Sequence, residues 1–180
     1  MSDRPFVHLH VHSEYSLLDG ANKCDDLASA AVEMGMDSIA ITDHGVMYGC
    51  VEFYNKCRAK GVKPILGCEV YVDPNGYTCR EGKNQYHLIL LAENEEGYHN
   101  LMKIVSVANT DGFYYKPRID HELLSKYSKG IIGASACLGG EIPGLILKGD
   151  TDGALSRAAL YRDILGEGNF FLELQHNSIP

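Results

Sequence analysis

The first regular segment of the chain reads His8-Leu9-His10-Val11-His12, and the interpretation of the rest depends on it. Because alternate residues of a β-strand point to one face, the pattern predicts a strand over 6–12 that carries a row of three imidazoles. Three histidines turned into a core would leave ring nitrogens without partners, which is costly. An exposed edge strand or an expression-tag remnant would give the same pattern. The apolar residues between the histidines favour a metal site, since neutral imidazole is a common metal ligand.

Beyond this segment, apolar strand patterns alternate with helix patterns. Strands are predicted over 38–42, 63–72, 85–92, 130–135 and 170–174. Helices are predicted from Asp25 or Asp26 to Glu33, over 50–60, from an Asn94 cap to 108, from Asp120, after 140, and from Asp150 or Thr151 to Leu165. This alternation is typical of an α/β fold with a mainly parallel sheet, either doubly wound or barrel-like. These strands are too few for a closed eight-stranded barrel, and no helix follows the last one, so the chain is expected to end within its fold.

Composition limits the class of protein. With 180 residues, 45% of them hydrophobic, the sequence predicts one domain over 1–180. No apolar membrane span or secretory signal is present in the sequence, which predicts a cytoplasmic protein without a membrane partner. The six cysteines are scattered and include no C-x-x-C pair, which favours free thiols. The net charge of -8 predicts no basic face, so any contact with nucleic acid would need metal ions or a basic neighbour.

Polar side chains also appear in two other predicted strands. Asp43 and His44 follow the strand over 38–42, at the end where α/β folds build sites. Alternatively, Asp43 caps a helix and His44 is merely exposed. Glu69 lies within an apolar strand, where a buried carboxylate needs a partner such as a cation. A Glu69 that faces water at a strand edge is the other interpretation.

His87 and Cys137 are the last candidates. His87 begins its strand, so in a strictly parallel sheet it would lie at the wrong end. An antiparallel hairpin around the polar 73–84 loop would bring His87 back towards Glu69. Cys137 follows the strand over 130–135, where a thiol serves either as a ligand or as a small packed side chain.

Taken together, these segments resemble a known family, the polymerase-and-histidinol-phosphatase (PHP) family. His10-Val11-His12-Ser13 and Thr42-Asp43-His44-Gly45 resemble its first two motifs. Glu69 matches its bridging glutamate, and Cys137 matches a position taken by Cys or His. The segments over 15–20, 112–120 and 137–143 are similar to the branch of the family that is built into bacterial replicative DNA polymerases. The resemblance covers essentially the whole chain.

The resemblance implies a distorted (β/α)7 barrel of the PHP type that is truncated at its C-terminus. It also implies two or three divalent metal ions (zinc, manganese or iron) held by nine ligands. Seven ligand positions match residues of this chain: His10, His12, Asp19, His44, Glu69, His87 and Cys137. The last two ligands, an Asp and a His, are expected beyond residue 180. Asp43 would orient a neighbouring histidine, which places it with Glu69 in the catalytic set.

The activity implied is metal-assisted hydrolysis of a phosphoester, with a DNA 3′ end or pyrophosphate as substrate. Lys116 and Arg118 would contact phosphate, although a solvated basic patch is the simpler interpretation. The implied partners are the rest of a polymerase chain and a separate proofreading subunit. Two alternatives remain open from the sequence. One is a structural module that supports the polymerase or docks the proofreading subunit, and the other is a stand-alone phosphatase for a small phosphate ester.

Overall fold

The computed structural model describes residues 6–17, 19–82 and 85–176. Its helices are α1 (Cys24–Glu33), α2 (Cys50–Ala59), α3 (Glu95–Thr110), α4 (His121–Lys126), α5 (Glu141–Leu147) and α6 (Thr151–Leu165). Its strands are β1 (Ser38–Ile41), β2 (Lys63–Val72), β3 (Tyr86–Ala92), β4 (Phe113–Tyr114), β5 (Lys116–Ile119), β6 (Ile131–Ala134) and β7 (Phe170–Phe171). Across these described ranges, no helix has the length and apolar character to cross a bilayer.

The strands form one mixed sheet, which confirms the α/β class and corrects the prediction of a mainly parallel sheet. The order is β4-β5-β2-β3-β6-β7, and β1 pairs with the first half of β2. Both neighbours of β3 run antiparallel to it. The reason is the β2–β3 hairpin, which returns the chain through a polar loop rather than through a crossover helix.

The sheet remains open within the described residues. Its order ends at β4 on one side and at β7 on the other. The last strand covers only 170–171 rather than 170–174. The predicted (β/α)7 barrel is therefore supported as an α/β architecture, while the described chain does not close into a barrel.

The N-terminal histidine segment is extended but is not a regular strand, contrary to the prediction for 6–12. It follows β1 in a parallel direction through two hydrogen bonds, Ala40 N to His8 O (2.9 Å) and Thr42 N to Val11 O (2.8 Å). Between these two bonds the β1 side advances by two residues and the histidine segment by three, so the regular ladder of hydrogen bonds is interrupted. The Thr42 hydroxyl accepts the Val11 N–H at 2.8 Å and replaces a backbone partner.

At most of the predicted positions, a capping side chain precedes the first residue of the helix. Asn94, Asp120 and Asp150 each accept a backbone N–H three residues ahead, as the sequence predicts. Helix α1 is different, because it begins at Cys24 without a side-chain cap. The predicted caps Asp25 and Asp26 lie in its first turn, where their charge still favours the helix dipole.

Two apolar clusters fix the sheet against its helices. The larger one joins the middle of the sheet to α3, α4 and α6, with Leu90, Leu101 and Ile131 almost fully buried. The second lies between β1 and helices α1 and α2, around Phe53. A third, smaller cluster of Ala40, Ile89, Leu91 and Ala136 takes the alternate residues of β3. Both faces of β3 are therefore covered by apolar side chains.

Candidate metal centre

Glu69 lies at the centre of a polar cluster in the middle of the sheet. Only 1% of its surface is exposed, so the interpretation of a water-facing strand residue is wrong. Its backbone N–H donates to Asp43 O (3.0 Å), and its carbonyl accepts from Gly45 N (2.9 Å). The His44 turn is thereby joined to β2, because a short parallel bridge links His44 to Glu69.

Four imidazoles surround the Glu69 carboxylate. Its Oε2 lies 2.5 Å from His10 Nε2 and 3.4 Å from His12 Nε2. Its Oε1 lies 2.6 Å from His87 Nδ1 and 3.1 Å from His44 Nδ1. Each carboxylate oxygen therefore faces a different pair of histidines, which suits a carboxylate that contacts two cations at once.

Asp19 and Cys137 lie at the edge of this cluster. Asp19 Oδ2 is 2.9 Å from His44 Nε2, and Cys137 Sγ is 3.4 Å from His87 Nδ1. The Asp19 side chain is 59% exposed, so the cluster opens to solvent on that side. The structure thus brings all seven sequence-predicted ligands together, and their role as ligands stays a prediction.

The antiparallel hairpin explains the position of His87. Opposite His87, β2 carries Tyr71, two residues after Glu69, so the start of β3 returns to the cluster. The sequence left this hairpin open as the arrangement that would return His87 to Glu69, and the structure has it. Tyr71 itself packs against the His87 ring, with 5.2 Å between ring centroids.

Two glycines let loops approach the centre. Gly45 has φ +66, a region that favours glycine, and a Cβ there would lie 2.5 Å from Pro117 Cγ. Gly139 accepts the His87 N–H at 3.0 Å, and a Cβ there would lie 3.0 Å from His87 Nδ1. A side chain at Gly45 would collide with Pro117, and one at Gly139 would press against the His87 ring.

The electrostatics of the cluster follow from one buried carboxylate among several imidazoles. Burial raises the pKa of Glu69, but the hydrogen bonds of the surrounding histidines outweigh it and hold the pKa far below its usual range. Burial lowers the pKa of His10, but hydrogen bonds first to Glu173 and then to Glu69 raise it to about 10. Cys137 and then Glu69 raise the pKa of His87 to about 9, while the pKa of the Cys137 thiol is lowered by His87.

Three buried atoms of the candidate ligands have no hydrogen-bond partner among the described residues. His12 Nδ1, His44 Nδ1 and Glu69 Oε1 are in this state, although Glu69 Oε1 lies close to two imidazoles. Buried polar atoms normally find partners, so atoms that converge without bonding fit a cation-binding site. One ligand atom each from His10, His12 and Glu69 lies within 4.8 Å of the others.

Asp43 has a role other than the predicted orientation of a histidine. Its carboxylate accepts hydrogen bonds from Ser13 N (2.6 Å), Ser13 Oγ (2.8 Å) and Ser16 Oγ (2.7 Å). The Ser16 hydroxyl in turn accepts the His44 N–H at 3.0 Å. Among its hydrogen bonds to described residues, none goes to an imidazole ring. Asp43 therefore holds the loop between His12 and Asp19 in place.

The two predicted phosphate contacts differ in position. Lys116 is exposed and its Nζ lies 5.1 Å above the Tyr71 ring, one aromatic ring from the cluster. Arg118 is 0% exposed and pairs with the equally buried Asp73, with Nη1 to Oδ2 at 2.6 Å. It also donates to three backbone carbonyls, those of Gly112, Tyr77 and Cys79. The prediction for Arg118 is wrong, because its donors are used inside the fold.

One residue near the cluster was missed from the sequence. Glu173, just after β7, lies 2.8 Å from His10 Nδ1 through its Oε1. The signal was available, because Glu173 stands between Leu172 and Leu174 in an apolar strand pattern, as Glu69 does in its own strand.

Comparisons with known proteins identify relatives of this chain. The DNA polymerase III subunit alpha of Treponema pallidum is 46% identical over 99% of this chain and 16% of that protein. The subunit alpha of Borreliella burgdorferi is 47% identical over 97% of this chain and 15% of that protein. The chain therefore spans about one sixth of the length of these relatives.

An amidohydrolase from Chromobacterium violaceum shares the fold. It has a TM-score of 0.51 and 15% sequence identity, and the match covers 92% of this chain and 75% of that one. The PHP domain family matches residues 8–177, a range that contains every residue of the cluster. The chain therefore belongs to the PHP domain family, as its motifs predict.

Proposed function

We propose that the cluster around Glu69 holds two or three divalent cations and serves as a phosphoesterase centre in a DNA polymerase III alpha subunit. The observation that carries the proposal is the buried Glu69 carboxylate, with four imidazoles between 2.5 and 3.4 Å from its oxygens. Burying this many polar groups would be costly unless a bound cation compensated them. The ligand set mixes nitrogen, oxygen and sulfur, which suits zinc, with manganese or iron as further candidates.

The histidines form two pairs around the Glu69 carboxylate. His10 and His12 face one oxygen of Glu69, while His44 and His87 face the other. Glu69 would therefore join two cation positions. Asp19 and Cys137 would complete them from the solvent side and from the β6 loop. Cys137 would bind as a thiolate, and its proximity to His87 already favours that form.

Cations held in this way would activate a water molecule for attack on phosphorus and stabilise negative charge on the phosphoryl oxygens. The residues of the chain would hold the cations in place and leave the site open to a substrate. The exposed side of Asp19 leaves an entrance for a phosphoester. Lys116, exposed beside Tyr71, would contact a phosphate that enters there. Positive charge from the cations would offset the net charge of -8, which otherwise repels a nucleic acid.

The proposed substrates are a DNA 3′ end, in a 3′–5′ proofreading exonuclease reaction, or pyrophosphate. The proposed partner is the rest of the polymerase III alpha chain, where nucleotidyl transfer would take place, and a proofreading subunit is a further candidate. A cytoplasmic location follows from this role in replication. None of these 180 residues is proposed to carry the polymerase reaction.

The test uses the full protein with metal analysis and two hydrolysis assays, one on DNA with a labelled 3′ end and one on pyrophosphate. His12→Ala should lose bound metal and hydrolysis. His99→Ala is the matched control, because His99 is an exposed histidine on α3 outside the cluster. Wild-type protein without bound metal would contradict the proposal and favour a structural module. Metal without hydrolysis of either substrate would reject the catalytic part alone.

A further inference from the structure

Glu173 is held beside the cluster by its backbone. Ser135, at the end of β6, donates its N–H to Phe171 O (3.0 Å) and accepts the Glu173 N–H on its Oγ at 2.9 Å. This pairing continues the β6–β7 register past the last strand residue. The Glu173 side chain is consequently directed by the sheet and not by a free loop.

The Glu173 carboxylate faces the ring nitrogen of His10 that points away from Glu69. Its Oε1 lies 2.8 Å from His10 Nδ1, while His10 Nε2 lies 2.5 Å from Glu69 Oε2. An ionised carboxylate can only accept, so Nδ1 must carry the hydrogen in this contact. Nε2 likewise donates to Glu69 in the absence of a cation, and a cation bound at Nε2 would take the place of that hydrogen while Nδ1 keeps its own. Gln175 donates its Nε2–H to the same Oε1 at 2.6 Å and steadies the carboxylate.

We infer that Glu173 is a positioning residue that fixes the His10 tautomer and ring orientation, so that Nε2 is the atom presented to a cation. The inference rests on the proposed function, because it assigns a role towards the same centre. Histidine ligands commonly donate their second ring N–H to a carboxylate, which orients the ring and makes it a stronger donor to the metal. Glu173 acts through His10 and lies on the far side of its ring from Glu69, so it is not itself a ligand.

The experiment measures metal affinity of the full protein by competition with a chromophoric chelator, using zinc as the probe. Glu173→Ala removes the acceptor, and we expect affinity to fall by about 10- to 100-fold. Glu173→Gln keeps the size and removes the charge, so we expect a smaller but measurable loss. Glu167→Gln is the control, because Glu167 is an exposed carboxylate in the turn before β7. Urea unfolding of the metal-free variants is measured in parallel.

The outcomes distinguish the positioning role of Glu173 from the proposed function of the cluster. Affinity in the order wild type, Gln, Ala, with metal-free stability alike for wild type and Gln, supports the positioning role. Glu173→Gln with wild-type affinity overturns it and leaves the proposed function intact, since packing alone would explain the residue. If folded wild-type protein binds none of zinc, manganese and iron, both the inference and the proposed function are rejected.

Discussion

The Arg118–Asp73 pair gives the sharpest quantitative prediction from the fold. Both side chains are fully buried, and Arg118 donates to Asp73 at 2.6 Å. Arg118→Met would leave the Asp73 carboxylate in the core without its cation. Breaking a buried pair from one side typically costs about 3–5 kcal/mol, because the remaining charge is uncompensated. That is a large share of the roughly 5–15 kcal/mol that stabilises a typical domain.

The assay is equilibrium urea unfolding of the protein, followed by circular dichroism. With a slope near 2 kcal/mol per M, the loss corresponds to a midpoint lower by about 2 M. Lys116→Met is the matched control on the same strand, and its exposed side chain should change stability by no more than about 0.5 kcal/mol. The double variant Asp73→Asn/Arg118→Met removes both charges, so its loss should be smaller than the sum of the two single losses.

A small effect of Arg118→Met would show that the buried ion pair does not stabilise the core. If its midpoint matched that of Lys116→Met, Arg118 would not be an internal ion-pair partner. The sequence-based role as a phosphate contact would then be open again.

Three further results are expected. Gly45→Ala should destabilise the protein by about 1–3 kcal/mol through backbone strain and the contact with Pro117. Gly35→Ala is the control and should cost less, because φ is also positive there but the space around it is open. Equal losses of stability in thermal unfolding would show that the contact with Pro117 does not matter. Asp43→Asn should cost about 1–3 kcal/mol, because the buried carboxylate accepts three hydrogen bonds from the ligand loop; an unchanged melting temperature would contradict this. Zinc binding should release protons and strengthen as pH rises from about 6.5 to 9, because the pKa of His87 is about 9 without metal and protons compete for its nitrogen. Calorimetry in buffers of different ionisation enthalpy measures the proton release. A zinc affinity that does not change with pH would contradict the prediction.

The seven candidate ligands were predicted as a set through the resemblance to the PHP family, and the residues by themselves favoured a metal site only at the row of histidines. His10 and His12 alternate with apolar residues, and Glu69 interrupts an apolar strand. The antiparallel hairpin was left open in the sequence as the arrangement that would return His87 to Glu69, and the structure contains it.

The rest depended on contacts that local patterns do not encode. The hairpin of β4 and β5 has strands of only 2 and 4 residues, and it turns at Tyr115 with φ 63, which no sequence signal indicated. Arg118 appears in the sequence as a basic surface residue, and only the position of Asp73, 45 residues away, shows that it is internal. Glu173 needed the β6–β7 pairing before its distance to His10 could be known.

The most direct test of the central claim is the metal content of the purified full protein by mass spectrometry, for wild type and Glu69→Gln. Glu69 faces all four histidines, so a single substitution there should affect both cation positions. We predict about two or three divalent ions per chain in the wild type, as the mixed nitrogen, oxygen and sulfur donors suit, and a marked loss in a variant that remains folded. Equal metal content in the two proteins, or none in either, would contradict the account.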